Sequence, residues 1–467
     1  MLDLLLLNGK IIDPEKSSCF QANIGISDGR ITMVADERKP AQREIDIKGS
    51  YISPGFIDIH IHENEIDENE IEEGEINEGE INIETLKYAV QMGVTTAAAG
   101  NCGINLSGNS TVDYFAALNN INLPVNYLSY IGYGFLRDKI ADGTEGGLSR
   151  DDFDKLIPYI EENLTGGACG VSLGLEYTPG VSTEEILWLG SFIKNNYPDK
   201  LLAAHYRFDA ARSLEAVAEM IITSRETGVA FQVSHIGSCS AFGEMDSALK
   251  MLDAARKAGV DIAADVYPYD AFSTFIGSEV FAPGCFERWG KGPESLLVVN
   301  GPHRGEYCSK ELFEKLRQES PQTLVAAFVM QEDEVDKAVL HPDIMIASDS
   351  LVTEKGGHPR ASGTFPRYLA KYVREESKLD LPDAIRKITT LPARRLGLEN
   401  NRGLVVPGYR ADLTVFSLED IQDNSTYQNP LVTPSGIEYV IVNGKIAVED
   451  GRYQGGDCGE VISHGRT

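Results

Sequence analysis

Histidines, one cysteine and one aspartate stand where apolar runs of the sequence end. The first such run ends in His60 and His62, and residues i and i+2 of a strand share one face, so both imidazoles should project together. Four further candidates end or follow separate apolar runs: Cys102, His205, His235 and Asp349. Thiolate and imidazole ligands favour zinc over magnesium or calcium, so the pattern predicts a zinc site.

The elements that must position these residues alternate regularly. Short apolar runs and longer amphipathic segments follow one another from about residue 52 to residue 400, which is typical of a parallel sheet built from strand–helix units. Eight runs predict a (β/α)8 barrel: residues 56–62, 94–99, 125–131, 169–175, 201–205, 230–235, 260–265 and 344–349. Helical periodicity predicts helices over residues 151–163 and 211–225. Because barrel enzymes keep their sites at the C-terminal strand ends, the six candidate ligands should meet there.

Three segments are expected to lie outside the barrel of residues 52–400. Residues 1–51 and 401–467 consist of short β-like pieces separated by turns, which predicts one small β-sandwich domain formed by both termini. The turn dipeptide Asn8-Gly9 is expected to end the first strand. Residues 269–335 are too long for one connection, so we predict an inserted subdomain before the last barrel strand, with a helix at 310–318.

The chain is strongly acidic. It has 467 residues with 42 Lys plus Arg and 71 Asp plus Glu, a formal net charge of −29. Such a charge repels phosphate backbones and acidic lipids, so neither nucleic acid nor a membrane is expected as a partner. Seven cysteines without a pairing rhythm predict reduced thiols and a cytoplasmic location.

Residues 63–82 repeat a five-residue unit four times, with ten acidic residues and no basic one. Residues five positions apart do not lie on one face of a helix or of a strand, so we predict a solvated acidic loop. As an anionic rim above the barrel mouth, this loop would disfavour substrates with acidic side chains. That effect is a hypothesis about substrate choice.

Longer motifs resemble those of the amidohydrolase superfamily, and within it the N-acyl-D-amino-acid deacylase (D-aminoacylase) family. The matching segments include residues 54–62, Gly-Asn-Cys-Gly at 100–103 and the segment from His358 to Arg367. The resemblance covers nearly the whole chain. It implies a TIM-like metal-dependent hydrolase barrel that hydrolyses the amide bond of N-acyl-D-amino acids, or of short peptides with D-residues.

The resemblance also implies roles for single residues. The implied ligands of one tightly bound zinc are Cys102, His205 and His235. The implied ligands of a second, weaker metal are His60 and His62. Attack of metal-bound hydroxide on the amide carbonyl is implied, with Asp349 as general acid and base beside the metals.

Three further residues are implied to bind the substrate. Arg360 would clamp the α-carboxylate, since a guanidinium pairs with a carboxylate through two hydrogen bonds. Tyr177 and Tyr267 would line the pocket. Two departures from the family pattern, Glu63 in place of Asp and Gly237 in place of Lys, leave the metal ligands intact and alter the loops around the substrate side chain.

Alternatives to this function remain open at the level of sequence. A cyclic amidase of the hydantoinase or dihydroorotase type usually bridges its metals with a lysine from the fourth strand, and residues 169–177 contain none. A non-catalytic scaffold would not need Cys102 or Asp349. Gly-x-Ser-x-Gly around Ser172 resembles a serine-hydrolase motif, but no helix start follows it.

Three other polar residues have no role among the ligands and substrate contacts named above. His358 either orients Arg360 or lines the site, and Asp265 either contacts a second metal or caps a turn. His341 is expected to have no convergent partners.

Overall fold

The computed structural model describes residues 1–62, 83–104, 110–140, 146–353 and 356–464. The acidic repeat predicted as a loop at 63–82, including Glu63, lies outside the described residues. None of the helices in the described ranges is both long and apolar enough to cross a membrane.

Eight parallel strand positions form the central barrel, as predicted. They are Phe56–Asp58, Val94–Ala99, Asn126–Ser129 continued by Ile131–Gly132, Gly170–Gly174, Leu201–His205, Ala230–Val233, Ile262–Val266 and Ile344–Ile346. The Cys169 N–H donates to the Ser129 carbonyl at 2.9 Å and joins the third position to the fourth. The Asp349 N–H donates to the His60 carbonyl at 2.8 Å, which brings the last strand back to the first and closes the ring.

Helices follow the barrel strands along the chain, and two of the helices, Cys285–Trp289 and Lys310–Glu319, lie in the segment before the last strand. The described helices are Glu84–Gln91, Thr111–Leu118, Tyr133–Asp138, Arg150–Gly166, Thr183–Asn196, Ser213–Thr227, Ile236–Ser240, Met245–Lys257, Cys285–Trp289, Lys310–Glu319, Glu332–Leu340, Arg360–Tyr368, Leu381–Ile388 and Thr390–Arg395. Two of them, Arg150–Gly166 and Ser213–Thr227, contain the helices predicted at 151–163 and 211–225. The first begins with a capping box between Ser149 and Asp152 and ends at Gly167, whose φ of 117° suits only glycine well.

Both ends of the chain pair in one sheet beside the barrel. Its nine strands are Leu2–Asp13, Ser18–Ser27, Arg30–Ala35, Ala41–Asp46, Tyr51–Pro54, Leu413–Phe416, Ile437–Val442, Lys445–Glu449 and Arg452–Tyr453. Tyr51–Pro54 pairs with Leu2–Asp13 on one side and Leu413–Phe416 on the other, so the predicted boundary after residue 51 falls inside this strand. Buried aliphatic side chains from both termini form a separate apolar core.

The prediction that Asn8-Gly9 ends the first strand is wrong. The strand continues to Asp13, and its register against Ser18–Ser27 shifts between Leu6 and Gly9. Asn8 has a φ of 58°, and its backbone N–H donates to the side chain of Asn23 at 3.0 Å. The turn-forming dipeptide therefore makes a bulge, because the strands on both sides keep the chain extended.

The segment before the last barrel strand has a sheet of its own. Three antiparallel strands, Phe272–Phe275, Leu324–Ala327 and Leu296–Val298, lie side by side in that order. The helix predicted at 310–318 is present as Lys310–Glu319. The strand Phe272–Phe275 leads from the barrel edge and carries side chains to the barrel mouth.

Candidate active site

Four side chains from separate strand ends meet at the mouth of the barrel. His60, Cys102, His235 and Asp349 each offer one nitrogen, sulfur or oxygen atom, and these four atoms all lie within 4.8 Å of one another. All four side chains are buried. Such a density of donor atoms is typical of a metal site.

The spacing of these atoms fits a zinc ion. Cys102 Sγ lies 3.4 Å from His60 Nε2 and 3.4 Å from His235 Nε2, and His60 Nε2 lies 3.3 Å from Asp349 Oδ1. Zinc bonds of about 2.0–2.1 Å to nitrogen and about 2.3 Å to sulfur place neighbouring tetrahedral ligands roughly 3.3–3.6 Å apart. The donor types and their separations therefore both fit.

His62 and His205 extend this cluster on opposite sides. His62 Nε2 lies 3.2 Å from Asp349 Oδ1, and His205 Nδ1 lies 3.1 Å from His235 Nε2. All six predicted ligands thus belong to one connected group. The four atoms that are mutually close come from both of the ligand sets implied by the resemblance.

The backbone at three of these positions is strained. Cys102, His235 and Asp349 have φ values of 56°, 33° and 49°, in the left-handed region that side-chain-bearing residues rarely adopt. Such strain persists where surrounding contacts fix it, and it concentrates at functional sites. Next to Cys102, a Cβ at Gly103 would lie 2.6 Å from the Gly174 nitrogen, so glycine lets two strand ends approach closely.

The thiol and imidazole groups of the cluster shift one another's pKa in the directions that favour their charged forms. Burial acts to raise the pKa of the Cys102 thiol, but His60 and His235 outweigh burial and hold that pKa well below its usual value. Burial acts to lower the pKa of His60, but Cys102 and Asp349 hold it well above its usual value. A cation is therefore stabilised here, and a metal ion would replace protons on these donors.

Asp265 joins two of the candidate ligands. Its Oδ1 accepts the His235 backbone N–H at 2.8 Å and lies 3.5 Å from His60 Nδ1, and its Oδ2 accepts Gln232 Nε2 at 2.7 Å. Ser238 Oγ lies 2.7 Å from His235 Nδ1, which leaves Nε2 facing Cys102. Asp265 thus contacts two candidate metal ligands from outside the cluster, a position that differs from both roles left open by the sequence, contact with a second metal and capping of a turn.

Arg360 lies beside the cluster and is fully buried. Its Nη1 lies 2.9 Å from Asp349 Oδ2, its Nη2 donates to the Ser273 carbonyl at 3.3 Å, and its guanidinium lies 4.7 Å from the centre of the Tyr267 ring. Among the described atoms, its buried Nε has no hydrogen-bond partner. A donor is therefore left for a ligand with acceptor oxygens.

His358 supports Arg360 from behind. Its Nδ1 accepts the Arg360 backbone N–H at 3.0 Å, and its Nε2 lies 3.0 Å from the Ala271 carbonyl and 3.1 Å from the Tyr427 hydroxyl. Burial, with the charge of Arg360, holds the pKa of His358 well below its usual value, so the ring is neutral. His358 therefore orients Arg360 and does not line the cavity.

A cavity opens above the cluster. The sequence indicated these lining residues: His62, Cys102, Tyr177, His205, His235, Tyr267, Asp349 and Arg360. It did not indicate these: Ile104, Glu176, Asp209, Ser238, Cys239, Phe272, Ser273, Thr274, Phe275, Val280 and Leu351. Glu176 could have been found, because it stands in a family motif next to Tyr177. The others carry no local signal that distinguishes them from ordinary loop or strand residues.

Glu176 and Asp209 are connected through Arg288. The Arg288 guanidinium lies 2.5 Å from Asp209 Oδ1 and 3.6 Å from Glu176 Oε1. Trp289 Nε1 donates to Asp209 Oδ2 at 2.6 Å, and His205 Nε2 lies 3.1 Å from Glu176 Oε2. Burial and the charge of Glu176 raise the pKa of Asp209 to about 6.

Ser172 and His341 do not belong to the cluster of His60, Cys102, His235 and Asp349. Ser172 is buried in its strand, where its hydroxyl donates to the Gly100 carbonyl at 2.6 Å and accepts the Gly103 N–H at 3.0 Å. Ser172 is therefore not an exposed nucleophile of the serine-hydrolase type. The expectation that His341 has no convergent partners is wrong, since its Nε2 lies 3.3 Å from Asp253 and Asp343 belongs to the same group.

Comparison with known proteins gives consistent matches. Residues 311–448 match the family described as the Amidohydrolase family. An N-acyl-D-glutamate deacylase of Alcaligenes xylosoxydans xylosoxydans is 31% identical over 95% of this chain and 93% of that protein. A D-aminoacylase of the same organism is 29% identical over 99% of this chain and 97% of that protein.

A solved structure supports the same relationship. The N-acyl-D-glutamate deacylase of Bordetella bronchiseptica, complexed with zinc and a phosphonate inhibitor that mimics the tetrahedral intermediate, matches with a TM-score of 0.85. It is 28% identical, and the match covers 99% of each chain.

Proposed function

Because the chain belongs to the amidohydrolase family and, within it, to the N-acyl-D-amino-acid deacylases, we propose that it is a zinc-dependent hydrolase of N-acyl-D-amino acids. The observation that carries the proposal is the buried group of His60, Cys102, His235 and Asp349 directly beside the Arg360 guanidinium. In the reaction, water adds its oxygen to the acyl carbon, the C–N bond breaks, and the acyl carboxylate and the free D-amino acid leave.

The connected donors support up to two ions. Cys102, His205 and His235 would hold a tightly bound zinc, and His60 and His62 a second, weaker metal, with Asp349 in contact with both groups. When bound, zinc polarises the amide carbonyl and lowers the pKa of a coordinated water. The choice of thiolate and imidazole donors favours zinc over a hard cation.

Asp349 acts as the proton carrier. Burial acts to raise its pKa, but the Arg360 guanidinium and His60 hold the pKa of Asp349 well below its usual range. The carboxylate is therefore ionised at neutral pH and able to take a proton from the attacking water. It then returns that proton to the departing amine nitrogen, which cannot leave as an anion.

Arg360 fixes the other end of the substrate. Its unpartnered Nε and its Nη groups form a planar fork that suits an α-carboxylate, and the Tyr267 ring beneath it holds the fork in one plane. Tyr177 closes the opposite side, with its ring 4.4 Å from that of His205 and its hydroxyl 3.2 Å from Thr274 Oγ1. A carboxylate at Arg360, an amide at the metal ligands and the cavity wall at Tyr177 give the three points of contact that are needed to distinguish one enantiomer from the other.

Other features support parts of the proposal. All seven cysteines are free thiols, which agrees with a cytoplasmic location. A hydantoinase-type site needs a lysine at its metals, and the described residues of the cluster and the cavity wall include none. The substrate is thus a small linear amide, either an N-acyl-D-amino acid or a short peptide with a D-residue.

Metal content and enantiomer choice test this function together. We expect one or two zinc ions per chain by mass spectrometry, and zinc-dependent release of D-amino acids, but not L-amino acids, from N-acetyl substrates. Cys102→Ala should lose both properties, while Cys169→Ala, a buried cysteine outside the cluster, should keep them. Zinc-loaded protein that hydrolyses a cyclic amide and no N-acetyl-D-amino acid would refute the proposal.

A further inference from the structure

A loop of the sheet formed by the two chain ends reaches the helix that begins at Arg360. This C-terminal loop, residues 422–435, lies between two strands of that sheet. Backbone hydrogen bonds of 3.2 and 3.1 Å between Gln422 and Ser435 close its base. No residue of the C-terminal loop is among the described residues that line the cavity. Any effect of the loop on the active site must therefore pass through other residues.

The C-terminal loop contacts the first turn of the helix that begins at Arg360. Ser362, two residues after Arg360, donates through its Oγ to the Pro430 carbonyl at 2.6 Å. The same oxygen lies 2.6 Å from Ser425 Oγ. Ser362 is buried, so water does not compete for these hydrogen bonds, and they fix the loop to the start of the helix.

Asp423 contacts this helix and a neighbouring aromatic ring. A Cβ at Gly363 would lie 2.1 Å from Asp423 Oδ1, so glycine is needed here for the loop to approach the helix this closely. Asp423 Oδ2 accepts the Tyr269 hydroxyl at 2.9 Å. The Tyr269 ring lies 5.1 Å from the ring of His358, at 90° to it. The loop therefore holds one of the rings that pack against His358.

Tyr427 is the residue of the loop that contacts His358 directly. Its hydroxyl lies 3.1 Å from His358 Nε2, and its ring lies 5.0 Å from the imidazole at an angle of 82°. The same ring packs against Phe328 at 4.7 Å. Because His358 Nδ1 accepts the Arg360 N–H, Nε2 carries the ring proton, and its acceptors are the Tyr427 hydroxyl and the Ala271 carbonyl. Tyr427 thus helps to fix the ring that holds the Arg360 backbone.

We propose that Tyr427 is a positioning residue of the active site, and that the C-terminal loop orients the Arg360 guanidinium through His358 and the first turn of the helix. This inference rests on the proposed function, in which Arg360 binds the α-carboxylate. A guanidinium gives a carboxylate two hydrogen bonds only in one orientation, so a small movement of the start of the helix weakens the pair. The sheet of the two chain ends thereby contributes to substrate binding without touching the substrate.

Two compounds that differ only at the α-carboxylate test the inference, N-acetyl-D-methionine and its carboxamide. In Tyr427→Ala, we expect kcat/KM to fall by about tenfold for the carboxylate and by at most about threefold for the carboxamide, which does not use both hydrogen bonds of the guanidinium. Zinc content should be unchanged. Tyr427→Phe keeps the ring against His358 and Phe328, so its two kcat/KM values should stay within about threefold of the original.

Tyr307→Ala is the matched control. Tyr307 also packs its ring against Phe328, at 6.2 Å, but it is 56% exposed and is not among the residues that line the cavity. Its removal should leave the ratio of the two kcat/KM values within about twofold of the original. A merely structural role for Tyr427 would lower both kcat/KM values together and leave their ratio unchanged.

Gly363→Ala tests the same contact from the helix side. Alanine favours the helix itself, but its Cβ would displace Asp423 and with it the C-terminal loop. We expect the carboxylate-to-carboxamide ratio of kcat/KM to fall by about threefold or more. In Arg360→Lys, by contrast, the added change Tyr427→Ala should lower this ratio no further, because the group that it positions is already lost.

The outcomes separate this inference from the function on which it rests. A ratio that falls in Tyr427→Ala and Gly363→Ala and not in Tyr307→Ala would support the inference. An unchanged ratio in zinc-loaded Tyr427→Ala, or in Gly363→Ala if Tyr427→Ala does not fold, would overturn it and leave the deacylase function standing. If the original zinc-loaded protein hydrolysed neither compound, the function would be refuted, and the inference with it.

Discussion

Replacing Arg360 by lysine should weaken catalysis most for substrates that carry an α-carboxylate. Lysine keeps the positive charge beside Asp349, so the charge environment of that carboxylate changes little. It loses the planar fork that lies over Tyr267 and reaches Asp349 at 2.9 Å and the Ser273 carbonyl at 3.3 Å. The expected defect is therefore in substrate binding and positioning.

The size of the defect follows from the hydrogen bonds lost. A guanidinium gives a carboxylate two charge-assisted hydrogen bonds, and an ammonium at the same place gives one. Losing one such bond costs about 2–3 kcal/mol, which lowers kcat/KM roughly 30- to 150-fold. For the matching carboxamide, a neutral acceptor loses about 1 kcal/mol, or roughly fivefold.

The assay compares the two compounds on both proteins. The ratio of kcat/KM for N-acetyl-D-methionine to kcat/KM for its carboxamide should be at least about fivefold lower in Arg360→Lys than in the original protein. Zinc content is measured in parallel and should be unchanged, because Arg360 offers no metal ligand. Equal losses for both compounds, at normal zinc content, would show that Arg360 acts on the chemistry through Asp349 and would refute the clamp.

Three further outcomes are expected. Asp349→Asn should lower kcat by about 10²- to 10⁴-fold, since the proton carrier is lost, while Cys102, His205 and His235 remain to hold the tightly bound zinc; a decrease below tenfold in zinc-loaded protein would contradict that role. Ser238→Ala should weaken zinc binding by about 10- to 100-fold in chelator competition, because His235 Nδ1 loses its 2.7 Å partner; unchanged affinity would show that Asp265 holds His235 unaided. Lys387 is buried and donates to the Val339 carbonyl, and burial lowers its pKa to about 7. In the unfolded chain Lys387 keeps its proton up to about pH 10. Between about pH 7 and pH 10 the free energy of unfolding, measured with urea, should therefore rise by about 1.4 kcal/mol per pH unit relative to that of Lys387→Met. A difference between the two proteins that does not change with pH would place the pKa of folded Lys387 near its usual value.

The order of barrel elements could be predicted from sequence because its signals are local. Apolar runs of strand length alternate with helical periodicity, and parallel strands of a barrel all end at the same mouth. The prediction failed at Asn8-Gly9, where pairing on both sides of Leu2–Asp13 overrides the turn preference of the dipeptide. Local preference is decisive only where tertiary pairing does not oppose it.

The contacts of Arg288 with Glu176 and Asp209 could not be predicted from sequence. Glu176 and Asp209 follow different strands, and Arg288 comes from the segment inserted before the last strand. No periodicity connects such positions. Their contact depends on how the insert Phe272–Phe275 folds back over the barrel mouth, which is a consequence of packing between elements distant in the chain.

The sequence by itself determined the donor types and the end of the barrel at which they gather. That was possible because His60, Cys102, His205, His235 and Asp349 each stand at or just after the end of an apolar run, and topology brings those ends together. Only the tertiary structure decided which donors face one another, since three of them depend on left-handed backbone held by neighbouring strands. It also decided which charged groups line the cavity above the cluster, because a buried carboxylate acts through the distance to its neighbours in space and not through its position in the chain.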